Sequence, residues 1–289
     1  MTPDNGTMNG TICLVTGASR GIGKATAIGL ARSGARVAIV SRDRKRGEAA
    51  RNEIQNAAGN RSVELFLADL SSQESIRNLA AAVANRLPAL HVLVNNAGII
   101  MAERRLNADG HEMTFAVNHL AYFSLTHHLL NLLKKGAPAR IVNVSSEAHR
   151  RAPLDLDNLQ GEKLYRGLEA YACSKLANIL FTHHLAERLA GTGITVNCLH
   201  PGVIETGLLE DYVGEMNRVI RWVRPLLRPF FGDAETGAGC SLYLAASPDL
   251  SGVTGKYFIR QREARSSSRS HDKVLAGRLW EESCRLTAI

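Results

Sequence analysis

Short apolar runs rich in β-branched residues alternate along this chain with longer stretches in which apolar residues recur at helical spacing. The short runs lack strict alternation of apolar and polar residues, which predicts strands buried on both faces. The predicted strands cover residues 12–15, 37–40, 63–67, 92–94, 140–144, 195–199 and 256–259. The predicted helices cover residues 22–33, 44–58, 73–87, 110–133, 168–190 and 235–245, with a short last helix over 274–286.

This alternation of strand and helix predicts an α/β fold, in which a doubly wound parallel sheet of seven strands carries helices on both faces. No linker divides residues 11–259, which are therefore predicted to form one domain after a flexible N-terminus of residues 1–10. Within the domain, residues 205–232 break the rhythm and are rich in apolar side chains, which predicts a lid over an apolar substrate. Residues 260–289 are predicted to form a basic, serine-rich mobile loop as far as residue 273, and then a helix packed on the domain.

Composition narrows the class of protein. Hydrophobic residues make up 45% of the chain, which is enough for a large core. The five cysteines are widely spaced and form no CxxC pair, which argues against a disulfide framework and against a metal site. The N-terminus lacks the apolar run of a signal peptide, and no window approaches the roughly 20 apolar residues of a membrane span. A soluble cytoplasmic protein is therefore expected.

The formal net charge of +8 points to an anionic ligand. The excess lies mainly in residues 42–46, 218–228 and 260–269, and no cluster interleaves aromatic and basic residues as a nucleic-acid surface would. We therefore expect a phosphorylated cofactor and no nucleic acid. Residues 218–231 mix cationic and apolar side chains that could touch an anionic membrane, but two prolines interrupt any long amphipathic helix, so the lid is the favoured interpretation.

A glycine-rich turn joins the first predicted strand to the first predicted helix. Glycines at such a junction allow a tight turn and a close approach of the backbone to a pyrophosphate, while the helix N-terminus presents free N–H groups. Its context, between a strand and a helix, makes it a strong signal for dinucleotide binding. The predicted phosphate-binding residues are Gly17, Ser19, Arg20, Gly21, Ile22 and Gly23.

The end of the second strand bears on the choice of cofactor. Enzymes that bind NAD generally place an acidic residue there for the ribose hydroxyls. Here the strand runs into Arg42, whose guanidinium could pair with a 2′-phosphate, and Arg20 could contact the same group from the glycine turn. Asp43, one position later, is the evidence for NAD. We expect NADP(H) to be preferred, with NAD(H) as the alternative. If Arg42 has no role in binding, the structural explanation is that it belongs to a solvated helix start.

Tyr171 and Lys175 are four residues apart in a predicted helix and therefore share one face. A free tyrosine has a pKa near 10, which is too high for acid–base catalysis at neutral pH. A nearby lysine ammonium favours the phenolate and is expected to lower that pKa.

Together, these features resemble the short-chain dehydrogenase/reductase family, which has a Rossmann fold. The glycine spacing is GxxxGxG, the fourth strand ends in Asn-Asn-Ala-Gly, and YxxxK follows further along. Four segments resemble the retinol dehydrogenase-like branch of that family: residues 41–43, 117–120, 174–178 and 251–258.

The resemblance implies further site residues. Ser146, at the end of the fifth strand, and Asn118 would complete a catalytic group with Tyr171 and Lys175. Ser145 would then be a helper or a strand-end cap, and a satisfied core amide is the structural alternative for Asn118. The other implied cofactor contacts are Asp69, Leu70, Asn95, Ala97, Gly98, Pro201, Gly202 and Thr206. Ordinary turn and cap chemistry is the alternative explanation of the Asp and Asn residues.

The resemblance implies an NADP(H)-dependent oxidoreductase that interconverts an apolar aldehyde or ketone and its alcohol, with Tyr171 as general acid and base. The alternatives are a reductase of a ring double bond, as in protochlorophyllide reductases, and a catalytically silent nucleotide-sensing protein. The resemblance also implies a homodimer or homotetramer formed through the helices that start near Gly110 and Leu168.

Overall fold

Eight strands form one sheet in the computed structural model, which describes residues 7–202 and 233–289. Their order in the sheet is β3-β2-β1-β4-β5-β6-β7-β8, and every neighbouring pair is parallel except β7 and β8. The strands are β1 (Ile12–Thr16), β2 (Arg36–Ser41), β3 (Val63–Leu67), β4 (Val92–Asn95), β5 (Ala139–Val144), β6 (Ile194–His200), β7 (Lys256–Ile259) and β8 (Arg262–Glu263). The predicted seven parallel strands are confirmed, and the two-residue β8 adds an antiparallel edge.

Helices cover both faces of the sheet, as predicted. The longer helices in the described part of the chain are α1 (Gly21–Arg32), α2 (Arg44–Ala58), α3 (Gln73–Arg86), α4 (Ala121–Lys135), α5 (Gly167–Arg188), α6 (Ala234–Ala246) and α7 (Lys273–Thr287). Apolar side chains from alternate strand positions separate into two cores. One core packs under α1, α2 and α6, and the other packs under α3, α4 and α5. Burial on both faces explains why the strands read as apolar runs.

The helix predicted over residues 110–133 is interrupted. One α-helical turn at Met113–Phe115 leads into a π-helical turn at Ala116–Leu120, and α4 follows. Asn118 and His119 lie in the π-helical turn, and both side chains are fully buried. A π-helical turn inside a helix is frequent at functional sites, and helical spacing in the sequence does not distinguish it from an α-helix.

The loop predicted to be mobile is docked on the domain instead. It begins with β8 and continues into a short 3₁₀ helix, and Arg269 donates a hydrogen bond to the carbonyl of Leu154 at 2.8 Å. The backbone N–H of Ser267 donates to Nε2 of His149 at 3.0 Å. The basic, serine-rich composition of this loop suggested mobility, because composition carries no information on hydrogen-bond partners that are distant in the sequence.

The last helix, α7, packs on α4 and α5. Trp280 of α7 packs against Phe123 of α4 at 4.8 Å between ring centroids and against Phe181 of α5 at 6.1 Å. No helix among the described residues is long and apolar enough to cross a membrane, and the described residues contain no cluster suited to a metal ion. The predicted lid at residues 205–232 and Thr206 lie outside the described residues.

Candidate active site

A cleft of about 1070 Å³ opens at the carboxyl ends of the parallel strands, where the chain order reverses between β1 and β4. Ligands of doubly wound sheets bind at this switch point. The predicted residues that line the cleft are Gly17, Ser19, Arg20, Gly21, Ile22, Gly23, Arg42, Asp69, Leu70, Ala97, Gly98, Ser146, Tyr171, Lys175, Pro201 and Gly202. The fold therefore brings together residues that are far apart in the sequence, from Gly17 in the glycine turn to Gly202 after β6.

The glycine turn is shaped by packing as well as by its opening to the cleft. Gly17 has a φ of +64°, and a Cβ atom there would lie 2.8 Å from Cα of Ala97. A Cβ atom on Gly23 would collide with Nδ2 of Asn96 and with the carbonyl of Gly17. Helix α1 begins directly after the turn, and the side chain of its N-cap residue, Arg20, does not cap it. The N–H groups of its first turn are therefore suited to an anion.

The two residues that follow the second strand, Arg42 and Asp43, are engaged differently. Arg42 is exposed at the rim of the cleft and forms no ion pair with a described residue. The carboxylate of Asp43 accepts a hydrogen bond from the backbone N–H of Arg46 at 2.7 Å and caps α2. This hydrogen bond lowers the pKa of Asp43. Asp43, which was the sequence evidence for NAD, therefore has a structural role as the N-cap of α2.

Asp69 and Asn95 differ in position. Asp69 lines the cleft, and its carboxylate accepts two hydrogen bonds from Ser71, at 2.9 Å from the backbone N–H and 2.7 Å from the hydroxyl. Asn95 instead points into the interior, where Nδ2 donates to Thr126 at 3.0 Å and to Asn143 at 2.9 Å. The side chain of Asn95 therefore does not line the cleft and instead ties β4 to β5, and the predicted contact of Asn95 with the cofactor stays a prediction.

Asn96, the next residue, was missed by the sequence analysis. Its Nδ2 donates to the carbonyl of Thr16 at 2.8 Å, and the hydroxyl of Thr16 accepts from the N–H groups of Asn96 and Ala97 at 2.9 and 3.1 Å. These bonds join the end of β4 to the glycine turn. The alternation of side chains along β4 is the signal that could have separated the two asparagines.

Ser146 and Tyr171 meet in the cleft. The Ser146 hydroxyl is close enough to the phenol of Tyr171 to affect its pKa, and it accepts a hydrogen bond from the backbone N–H of Ala148 at 3.2 Å. Ser145 turns away and donates to the backbone carbonyl of Lys175 at 2.7 Å. Of the two serines, Ser146 is therefore the one placed to share a substrate oxygen with Tyr171.

The pKa of Tyr171 shifts in the direction opposite to the one expected from the sequence. Burial raises the pKa of Tyr171, and the hydrogen bond from Ser146 acts in the opposite direction but is the smaller effect. Burial also lowers the pKa of Lys175 to about 7, so this lysine is only partly charged near neutral pH. Its Nζ lies 5.6 Å from the centre of the Tyr171 ring. The expected lowering is thus absent because desolvation acts on both groups.

Lys175 and Asn118 flank the wall of the cleft formed by residues 98–99. Asn118 accepts a hydrogen bond from the N–H of Ile99 at 2.8 Å and donates to its carbonyl at 2.9 Å. A second donated bond goes to Ser174 at 3.0 Å. Asn118 does not line the cleft itself, and its side chain is a satisfied buried amide that contacts the wall of the cleft through Ile99.

A polar group behind Ser146 was also missed. Nδ1 of His200, at the end of β6, accepts a hydrogen bond from the backbone N–H of Glu147 at 3.3 Å. Nδ1 of His149 is 2.7 Å from the carbonyl of Ser146, and the hydroxyl of Tyr257 donates to Glu147 at 2.8 Å. These contacts fix the loop that presents Ser146. A polar residue at the carboxyl end of β6 was the available signal.

Comparison with known proteins agrees with this geometry. The family model described as short chain dehydrogenase matches residues 11–217. The chain belongs to the short-chain dehydrogenase/reductase family. Human retinol dehydrogenase 11 is 43% identical over 280 residues, which cover 97% of this chain and 86% of that protein. Human retinol dehydrogenase 14 is 42% identical over 297 residues and covers 97% and 87%. The resemblance to the retinol dehydrogenase-like branch is thereby confirmed.

Solved structures share the fold. A protein from Mycobacterium Paratuberculosis has a TM-score of 0.79 and 34% sequence identity, and the match covers 99% of this chain and 96% of that one. The NADP complex of Pseudomonas aeruginosa RhlG has a TM-score of 0.69 and 30% identity, with 87% and 94% covered. The general activity that follows from the family is oxidoreduction between carbonyl compounds and alcohols.

Proposed function

We propose that this protein is an NADP(H)-dependent oxidoreductase that interconverts an apolar aldehyde or ketone and its alcohol. One observation carries the proposal. The glycine turn, Arg42 and the group of Ser146, Tyr171 and Lys175 all line a single cleft. A nucleotide-sensing protein would not need a buried lysine and a tyrosine–serine pair beside its nucleotide.

The residues of the cleft fit a dinucleotide with a 2′-phosphate. The first turn of α1 would hold the pyrophosphate, and Gly17 and Gly23 allow the close packing that shapes this turn, since a Cβ atom at either position would collide with neighbouring protein atoms. Arg42, with Arg20, would hold the 2′-phosphate, because Asp43 is engaged as a helix cap. Asp69 and Leu70 would border the adenine, and Pro201 and Gly202 the nicotinamide. NAD(H) would lack the phosphate that these arginines contact.

The bound cofactor would supply or accept the hydride, and the protein supplies orientation and the proton. Ser146 and Tyr171 would both hydrogen-bond to the substrate oxygen, since their hydroxyl groups already meet. Tyr171 would donate the proton in reduction and accept it in oxidation. Lys175 would hold the ribose and, when charged, favour the Tyr171 phenolate. Asn118 would hold Ile99, which forms part of the wall beside this group.

The apolar substrate class rests on two supports. The names of the similar curated proteins describe retinol dehydrogenases, and retinol is a long apolar alcohol. The segment predicted as a lid, residues 205–232, is rich in apolar side chains. Retinal and other lipophilic aldehydes and ketones are therefore the first substrates to test.

The oligomer is also a proposal. A homodimer or homotetramer through α4 and α5 would have to include α7, because Trp280 lies against Phe123 and Phe181 of those helices. Light scattering on the purified protein would give the mass. A monomeric mass at micromolar concentration would contradict the proposed oligomer.

The decisive experiment measures NADPH consumption with a panel of apolar aldehydes and ketones, including retinal, for the wild type and Tyr171→Phe. We expect the substitution to lower kcat by about 100-fold or more while NADPH still binds, because it removes the proton donor and keeps the ring. Tyr243→Phe removes the hydroxyl of a half-buried tyrosine on α6 that does not line the cleft, and it serves as the comparison. Equal activity of wild type and Tyr171→Phe would refute the proposed mechanism.

A further inference from the structure

A buried polar chain runs from the C-terminal helix to Asn118. Nδ2 of Asn178, on α5, donates a hydrogen bond to the backbone carbonyl of Asn118 at 2.9 Å. Oδ1 of the same amide lies 3.2 Å from Nδ1 of His119, and Nε2 of His119 lies 3.0 Å from the hydroxyl of Ser283 on α7. All four side chains are at most 1% exposed. Three helical segments that are distant in sequence are thus joined by one set of hydrogen bonds.

The direction of these hydrogen bonds follows from the donors available. The Asn178 amide nitrogen is used by Asn118, so its oxygen faces His119 and can only accept, which places the proton of His119 on Nδ1. Burial lowers the pKa of His119 to about 4, so the ring is neutral at pH 7 and Nε2 must accept. The Ser283 hydroxyl lies 3.0 Å from Nε2 and also donates to the carbonyl of Leu279 at 2.7 Å, so its one proton faces two acceptors.

The π-helical turn makes this set of bonds consequential. Asn118 uses its side chain to hold both backbone groups of Ile99, which lines the cleft. A shift of the turn would move Asn118 and, with it, the wall formed by Gly98 and Ile99. An added Cβ on Gly98 would be 3.4 Å from Oδ1 of Asn118 and 3.6 Å from Nζ of Lys175, so these groups surround the same short stretch of backbone.

We propose that His119, Asn178 and Ser283 are positioning residues, through which helix α7 fixes Asn118 and the wall of the cleft at Ile99. The proposal deepens the proposed function, because it assigns a role in the site to a helix that lines no part of the cleft among the described residues. Filling the space between α7 and the π-helical turn does not require these polar residues, since apolar side chains would also fill it.

The test is Ser283→Ala, which removes one oxygen atom, with Thr287→Val as the matched control. Thr287 is on the same helix and 2% exposed, and its hydroxyl donates to the carbonyl of Ser283 at 2.7 Å, so its bond stays within α7. We expect Ser283→Ala to raise the Kd for NADPH about three- to ten-fold, as loss of one hydrogen bond allows, and to speed hydrogen exchange of the Ile99 amide. Thr287→Val should leave both quantities at wild-type values.

The two readouts separate this proposal from the proposed function. Hydrogen exchange of the Ile99 amide is measured in the protein without cofactor, so it decides the positioning role even if no carbonyl compound is reduced. Loss of folded protein lowers kcat and leaves the Kd of the remaining folded fraction unchanged, so a raised Kd supports positioning. Ile99 exchange and NADPH Kd that match in Ser283→Ala, Thr287→Val and the wild type would overturn the proposal.

Discussion

Lys175 donates a hydrogen bond from its ammonium nitrogen to the backbone carbonyl of Val144 at 3.0 Å. Val144 is the last residue of β5, and Ser145 and Ser146 follow it directly. The bond therefore connects the helix that carries Tyr171 to the strand end that carries Ser146. Ser145 makes a second connection in the opposite sense, by donating to the backbone carbonyl of Lys175 at 2.7 Å. The relative position of the proposed catalytic side chains is thus fixed before any ligand binds.

The buried position of Lys175 should make folding stability depend on pH. Burial lowers its pKa from 10.5 to about 7, so between these values the unfolded chain holds more protons than the folded one. Stability contributed by this group therefore rises with pH over that window and is lowest at or below about pH 7. In urea unfolding without cofactor, the wild type should gain about 3 kcal/mol over Lys175→Met between about pH 7 and about pH 9.5. Parallel pH profiles of the two proteins would show that the lysine titrates normally.

Arg42 should control the preference for NADP(H). Arg42→Ala removes a charge-assisted contact with the 2′-phosphate, so the KM for NADPH should rise about 10- to 100-fold while the KM for NADH changes little. Arg44→Ala is the matched control, because Arg44 is an exposed arginine two positions later that pairs with Glu48 at 3.7 Å and does not line the cleft. If both substitutions raise the KM for NADPH equally, general charge rather than a specific contact sets the preference.

Asp43 should affect stability without affecting the cofactor. Asp43→Ala removes the N-cap of α2 and should lower the free energy of unfolding by about 1 kcal/mol, whereas Asp43→Asn keeps the side-chain acceptor and should cost less. The ratio of kcat/KM for NADPH and NADH should stay constant in both variants. A large shift of that ratio toward NADPH in Asp43→Asn would assign this carboxylate to the ribose instead.

Gly23 should be intolerant of a side chain because of its neighbours. Gly23→Ala brings Cβ against Asn96 and the carbonyl of Gly17, and it should cost about 1–3 kcal/mol of stability and weaken NADPH binding by distorting the turn. Gly59→Ala is the comparison, since Gly59 has a φ of +63° but an added Cβ would meet nothing within 4 Å. It should cost about 1 kcal/mol through backbone strain alone and leave the Kd for NADPH unchanged. Normal binding by Gly23→Ala would mean that the turn tolerates the displacement.

Sequence reasoning anticipated the sheet because burial on both faces leaves a strong pattern. Each of the seven parallel strands coincides with an apolar run, and the two-residue β8 is too short to leave such a pattern. The glycine turn and the Tyr171–Lys175 pair were recognisable because their spacing within one helix or turn determines their geometry. The sequence was thus sufficient to predict features whose geometry is set within a single helix, strand or turn.

Features that depend on tertiary contacts were not predictable in the same way. The orientation of Asn95 depends on Thr126 and Asn143, which lie on other elements. The direction of the pKa shift of Tyr171 depends on how far the fold removes it from water. The anchoring of the segment after β8 depends on His149 and Leu154, more than a hundred residues earlier in the chain. None of these partners can be identified from a local pattern.

The place of α7 in the sequence bears on the order in which the domain assembles. Helix α7 follows all of the described strands along the chain, and until it docks, Phe123 and Phe181 lack their contact with Trp280 and His119 lacks Ser283. The sheet can therefore form while the packing around Asn118 is still incomplete, and docking of α7 completes it.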